Sequence, residues 1–398
     1  MFFHPSPHVT ALGGAEKRFL ETSKIFVEKG LELVVLESNP SLLKRQNIQC
    51  QVYTLPSPFS KCHGWFTIYF GWVLWTILAC FRSVSITRKT KCRFVFAPNN
   101  TVPNLLPAYF THAVTHLPLC VVVHHMDVTS ENLNMSFQTI LETYKKIGYA
   151  PSVSFLKTLA FFAITRLLEK VDRCITVSNF TARILTRLGV ASNKIHVSGN
   201  GVDLQFIRQV SVQHKKMFSA VFVGRVSKEK GVFDLLEAWR QIVTGKGDSR
   251  LLIIGTGPDL IKVEETIVHY GLKESVAVCG SVDDLQMYSM LKSGKVFVFP
   301  SRFEGWGLAV AEALACGLPV VCYDIPALRE VFGECRSVFF VPLGDIKKLL
   351  IATRKILELE QREYDRLVEI SKNYARRFAW SEVALKDLQS IRELRTAY

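Results

Sequence analysis

The sequence predicts an α/β protein built from two Rossmann-like domains that face each other across a cleft, and three observations predict it. The chain has 398 residues, more than one hydrophobic core usually supports. Short apolar runs alternate with longer amphipathic ones, which is the rhythm of βαβ units on a parallel sheet. That rhythm breaks at the polar, basic stretch RQVSVQHKKM (208–217) and then restarts with FSAVFVGR.

In the first domain, residues 1–205, strands are expected in MFFHP, ELVVLES, FVFAP, LCVVVHH and RCITVS. Helices fill the gaps, one of them over 15–30 and closed by Gly30. In the second domain, residues 217–375, strands are expected in AVFVGR, RLLIIG, VAVCG, VFVFPS, PVVCYD and SVFFVP. The tail, 376–398, reads as a helix after a break around Phe378 to Ser381.

Composition removes several function classes. The ten cysteines are scattered without a CxxC pair or clustered histidines, so neither a zinc site nor a disulfide framework is expected. Reduced thiols and a start, MFFHPSPHV, without a basic n-region or apolar h-region fit a cytoplasmic chain, at most peripheral at the inner or cytosolic membrane face. The net charge is +14, and it sits in the first half: residues 1–200 hold 21 Lys+Arg against 10 Asp+Glu, residues 201–398 hold 28 against 25. Such a surface suits phosphorylated substrates or anionic lipid. No zinc finger or aromatic RNP strand is present, so nucleic acid is not an expected partner.

The run GWFTIYFGWVLWTILACF (64–81) has eighteen residues without charge, the lower limit for a membrane span. Strands on either side of it should share one sheet, which a span would divide between two sides of a bilayer. Two readings stay open: a helix buried in the first domain, or one at a membrane interface with its tryptophans at headgroup depth. Residues 51–100 contain six Lys+Arg and no acid, which suits the interface.

Four constellations could carry chemistry. Gly13 and Gly14 stand where the first helix starts, either as a permissive turn or as a place where a ligand meets free helix N–H groups. His124 and His125 end an apolar strand, with Asp127 close by, where α/β sheets gather ligands; a capped structural histidine is the competing reading. Arg225 and Lys230 follow a strand and could grip a diphosphate, with Lys228 and Glu229 between them read as ordinary surface charge. In SRFEGWGLAVAEALACGLPVV (301–321), Gly305 and Gly307 let the chain turn into a helix beginning near Trp306. Glu304 precedes that helix and Glu312 lies within it, too far apart to share one proton, so the two suit separate hydroxyls on an extended ligand with a phosphate at the helix end.

Together these pieces resemble the nucleotide-sugar-dependent retaining glycosyltransferases of family 4, with the GT-B fold. The matching segments are GGAE (13–16), VVVHHMD (121–127), SGNGVD (198–203), GRVSKEKGVFDLLEA (224–238), GTGP (255–258) and EGWGLAVAEALACGLPVV (304–321), in family order over nearly the whole chain. The resemblance implies a donor nucleotide sugar, a UDP- or GDP-sugar, in the second domain and an acceptor in the first. It implies that Arg225 and Lys230 bind the diphosphate together with backbone N–H groups of Gly307 and Leu308. It further implies that Glu304 touches the transferred sugar, that Glu312 holds the ribose, and that His124 is the active-site histidine. Transfer of a hexose, mannose or glucose, to a lipid-linked sugar or growing glycan is the expected activity, without metal or other cofactor. A soluble acceptor, or a non-catalytic sugar-nucleotide binder, are the alternatives. The final helix is expected to cross back to the first domain.

Overall fold

A strand buried on both faces of a parallel sheet needs apolar residues at nearly every position, and runs such as LCVVV, LLII and VVCY meet that need. The computed structural model describes residues 2–4, 13–38, 43, 47–56, 65–128, 135–211, 217–245 and 248–396. The loop at 5–12 and most of the basic junction, 212–216, lie outside the described residues.

The strands are β1 (Phe2–His4), β2 (Val34–Glu37), β3 (Gln51–Thr54), β4 (Val95–Ala97), β5 (Leu119–Val123), β6 (Arg173–Thr176) and β7 (Ile195–Val197), then β8 (Phe218–Val223), β9 (Leu251–Ile254), β10 (Val276–Val278), β11 (Gly294–Phe299), β12 (Val320–Tyr323) and β13 (Val338–Val341). Between the early strands run α1 (Gly14–Glu28), α2 (Trp65–Thr90), α3 (Val102–Thr115), α4 (Phe137–Ile147), α5 (Pro151–Leu168), α6 (Asn179–Arg187) and α7 (Leu204–Gln209). The later ones are α8 (Val232–Gly245), α9 (Leu260–His269), α10 (Asp284–Lys292), α11 (Leu308–Ala315), α12 (Pro326–Phe332), α13 (Ile346–Leu357), α14 (Gln361–Ala375) and α15 (Trp380–Thr396).

All strand pairs are parallel. The later strands form one sheet in the order β10-β9-β8-β11-β12-β13, a doubly wound arrangement whose direction reverses between β8 and β11. The earlier strands form sheets β1-β2-β3 and β4-β5-β6-β7, with β1 lying beside β4. Every expected strand is present, and two more appear. Strand β3 is a half-exposed edge with the polar sequence QVYT, and β7 has three residues, so neither carries a long apolar run.

One expected helix start moves, and the apolar run with two open readings has one buried and one exposed face. The helix expected near Trp306 begins at Leu308, because Gly307 takes a left-handed φ of +99° and caps it. Residues 65–81 of the apolar run lie in α2, which extends to Thr90 and is buried on one face only. Its inner face packs Trp75, Ala79 and Ile86 into the core, while Val73, Ile77 and Phe81 on its outer face are exposed.

The last helix lies against the first half of the chain, where Ala384, Leu388 and Ile391 of α15 share a core with Phe19 and Leu20 of α1 and with Val35 and Ile175 of the sheets. A buried ion pair fixes that contact: Arg18 Nη2 donates to Asp387 Oδ1 at 3.0 Å and to Ser198 Oγ at 2.8 Å, and neither charged residue is more than 1% exposed. Removing one partner strands the other charge in a dry site. Arg18→Met should therefore lower unfolding free energy by about 3–5 kcal/mol in urea titrations, with Arg18→Met/Asp387→Leu recovering most of the loss.

Candidate active site

Ligands of doubly wound sheets gather at the carboxyl ends of the strands that flank the reversal, here β8 and β11. Arg225 and Lys230 lie on the segment after β8, and Glu304 on the segment after β11. Lys230 Nζ contacts Glu304 Oε1 at 2.6 Å, and Ser301 Oγ donates to the same oxygen at 2.8 Å. Arg225 is more exposed and reaches Glu229 Oε1 at 3.5 Å. Glu229 is not ordinary surface charge: it is mostly buried and accepts a hydrogen bond from Tyr149 Oη at 3.0 Å, which joins this segment to the turn between α4 and α5. Lys228, by contrast, is exposed.

Helix α11 starts without a side-chain cap, and so does α1, whose N-cap is Gly13. The two starts face each other, since a Cβ on Gly14 would lie 3.5 Å from Leu308 Cδ2. Four N–H groups at a helix start lack intrahelical partners, so this is a place that favours anions.

The other half of the cleft arrives at Gly305. A Cβ there would fall 1.7 Å from the His124 carbonyl oxygen and 3.1 Å from His125 Cβ, so only glycine lets the end of β5 settle on the turn before α11. The structure thus brings His124, Glu304, Gly307 and Leu308 to one crevice.

The two histidines differ. His124 Nε2 lies 3.0 Å from the Pro98 carbonyl, which can only accept, so Nε2 carries the proton and Nδ1 is left as an acceptor. Burial first, and then the charge of Arg18, lower the His124 pKa to about 3, so the ring is neutral at physiological pH. The half-exposed His125 instead pairs with Asp127, Nε2 to Oδ1 at 3.2 Å. Burial raises the Asp127 pKa, but His125, Lys157 and the Tyr144 hydroxyl outweigh it and hold the carboxyl well below its usual range.

Glu312 lies one turn inside α11, 4% exposed, and its surroundings were not legible in the sequence. Lys17 of α1 reaches across the cleft, with Nζ at 2.5 Å from Glu312 Oε1 and 3.3 Å from Asp284 Oδ2. Tyr288 Oη donates to Glu312 Oε1 at 2.9 Å, and its pKa is driven far up by burial and then by Glu312. Burial disfavours the Lys17 ammonium, but Glu312 and Asp284 together keep its pKa above the ordinary value. The adjacent Gly-Gly pair was the available signal for Lys17. Nothing in the local pattern of α10 marks Tyr288 and Asp284.

A cavity of about 440 Å³ opens behind α11, lined by Ile207, Lys292, Cys316 and Tyr364 among others, and it contains none of these site residues. Among the described residues, no group of three or more His, Cys, Asp or Glu could hold a metal ion.

The comparisons with known proteins divide the chain at the same place as the sheets. The family described as Glycosyltransferase Family 4 matches residues 12–206, and Glycosyl transferases group 1 matches residues 203–375. The chain is similar to the phosphatidyl-myo-inositol mannosyltransferase of Mycobacterium leprae, 30% identical over 221 residues that cover 54% of this chain and 58% of that one. It is 24% identical over 247 residues to the GDP-mannose:cellobiosyl-diphosphopolyprenol alpha-mannosyltransferase of Xanthomonas campestris, covering 61% of this chain and 64% of the relative. The chain spans about half the length of the curated relatives it matches. In fold it is similar to Anabaena HepE, solved in complex with UDP and glucose, with a TM-score of 0.72 at 15% identity over 98% of this chain and 99% of that one. Matched along residues 12–375, the chain belongs to glycosyltransferase family 4 and has the GT-B fold.

Proposed function

We propose that the protein transfers a hexose from a nucleoside diphosphate sugar to a hydroxyl of a lipid-linked acceptor, with the anomeric configuration kept. The observation that carries this reading is the convergence, at the β8/β11 reversal, of an uncapped helix start, the Lys230–Glu304 pair and the end of β5. The diphosphate sits at the start of α11, with Arg225 and Lys230 beside it. Lys230 exchanges Glu304 for a phosphate oxygen, and the released carboxylate accepts a hydroxyl of the sugar. The ribose hydroxyls reach Glu312, which shares its charge with Lys17.

In the reaction the bond from the anomeric carbon to the phosphate oxygen breaks, and its electron pair stays on the diphosphate. The acceptor oxygen forms its bond on the same face, and its proton passes to the departing phosphate oxygen. Negative charge grows where Arg225, Lys230 and the helix start stand, which is the electrostatic arrangement that lowers such a barrier. His124 meets the sugar as a neutral acceptor through Nδ1. The chain has no DxD triplet, in keeping with a reaction that uses no metal. The lipid acceptor is supported by the names of the two mannosyltransferases above, and the nucleotide by the UDP bound to HepE.

Arg225→Ala and Lys230→Ala should each lower kcat/KM for the donor by about a hundredfold or more, measured with UDP- and GDP-hexoses against a lipid extract; wild-type rates in both would remove the donor-site assignment. Glu312→Gln should weaken UDP or GDP binding about tenfold in calorimetric titration, whereas an unchanged affinity would dissociate Glu312 from the ribose. His124 gives a pH signature. Unfolded His124 gains a proton below pH ~6.5 and the native ring does not until pH ~3, so native stability falls as pH drops through that window. At pH 5 this loss should be on the order of 1–2 kcal/mol relative to pH 7, and His124→Gln should lack it in urea titrations.

A further inference from the structure

Of the nineteen large apolar side chains that stand exposed among the described residues, twelve lie between residues 70 and 159. They project from α2, α3, α4 and α5, and all four helices pack their inner residues into one core: Trp75 and Ala79 from α2, Leu105 and Ala108 from α3, Ile140 and Tyr144 from α4, Phe161 and Leu168 from α5. Neighbouring contacts join them into one layer, α3 touching both α2 and α5, and α4 touching α5. Ring contacts continue between the layer's members, Phe81 with Phe110 at 5.6 Å and Phe137 with Phe155 at 5.7 Å. Ile77, Phe81, Phe155, Leu156 and Leu159 are 46–65% exposed on that layer.

Charge identifies what covers it. From residue 38 to residue 126 the chain carries eight Lys+Arg and no Asp or Glu. Five of these cations, Arg82, Arg88, Lys89, Lys91 and Arg93, are exposed on the second half of α2 and just beyond it. A second copy of the chain placed against this face would oppose cation to cation. A span is ruled out for α2 because its inner face holds Trp75, Ala79 and Ile86 in the core of the same domain.

We infer that the outer face of α2, α3, α4 and α5 is a docking surface for an anionic lipid bilayer, with its apolar side chains entering the headgroup–acyl boundary and the cations at the end of α2 meeting lipid phosphates. The turn that joins α4 to α5 carries Tyr149, whose hydroxyl bonds Glu229 beside Arg225, so this layer reaches the rim of the cleft. A docked chain therefore opens its cleft near the membrane surface, where a lipid-linked hydroxyl stands. That purpose rests on the acceptor reading above; the docking does not.

The test is flotation of the full chain with phosphatidylcholine vesicles and with vesicles containing about 30% phosphatidylglycerol, at low and high salt. The wild type should float with the anionic vesicles and lose at least tenfold in partitioning at high salt. Ile77→Ser/Leu156→Ser/Leu159→Ser and Arg88→Glu/Lys89→Glu should each lower binding at least tenfold, and Ile261→Ser/Ile351→Ser, exposed in the other half of the chain, should leave it unchanged. UDP and GDP affinity, titrated in parallel, should be the same in all variants, which separates this inference from the donor assignment. Absence of flotation, flotation indifferent to both site variants, or a dimer in sedimentation that the serine variant dissociates would each overturn it.

Discussion

The cleft depends on one close approach: the carbonyl of His124 lies where a side chain on residue 305 would begin. The end of β5 can rest on the turn before α11 only because that turn has glycine at 305, and the turn can enter α11 at Leu308 only because glycine at 307 accepts a φ of +99°. From these two backbone facts follows the placement of Glu304, the uncapped helix start and the neutral His124 around one crevice. Lys17 to Glu312 and Tyr149 to Glu229 then tie the halves at two further points, one deep and one toward the rim.

Electrostatically the crevice is balanced rather than simply basic. Lys17 is matched by Glu312 and Asp284, Lys230 by Glu304, Arg225 by Glu229, and His125 by Asp127. Buried charges without partners are costly, so cations gathered in a cleft need carboxylates beside them. On the proposed reading, Glu304 is released when Lys230 turns to a phosphate oxygen, and a sugar hydroxyl then takes the place of the ammonium as its hydrogen-bond donor.

The fold was largely legible in the sequence, because parallel strands buried on both faces spell themselves as apolar runs. What was missed lacks that signature: β3 is a polar edge, and β7 is three residues long. Glycine spacing marked the start of α11 but misplaced it by two residues, since a left-handed cap is invisible until the backbone is seen. Glu304, Glu312 and Lys230 were singled out in the sequence, but Lys17 and Tyr149 were not. Lys17 lies 295 positions from Glu312, and Tyr149 lies 80 from Glu229, separations across which local pattern carries no information. The uncharged run in α2 was ambiguous for a physical reason as well: this helix carries apolar side chains on its exposed face as well as on the face in the core, so no stripe shows in the sequence and only packing separates the two faces.

The most direct test of the account is Gly305→Ala, assayed for hexose transfer, UDP or GDP affinity and thermal unfolding in the same preparation. The expected variant still folds and binds nucleotide, because β8 to β13 do not need the approach, and loses at least a hundredfold in turnover because the end of β5 can no longer settle on the turn that carries Glu304. Wild-type turnover in that variant would contradict the account.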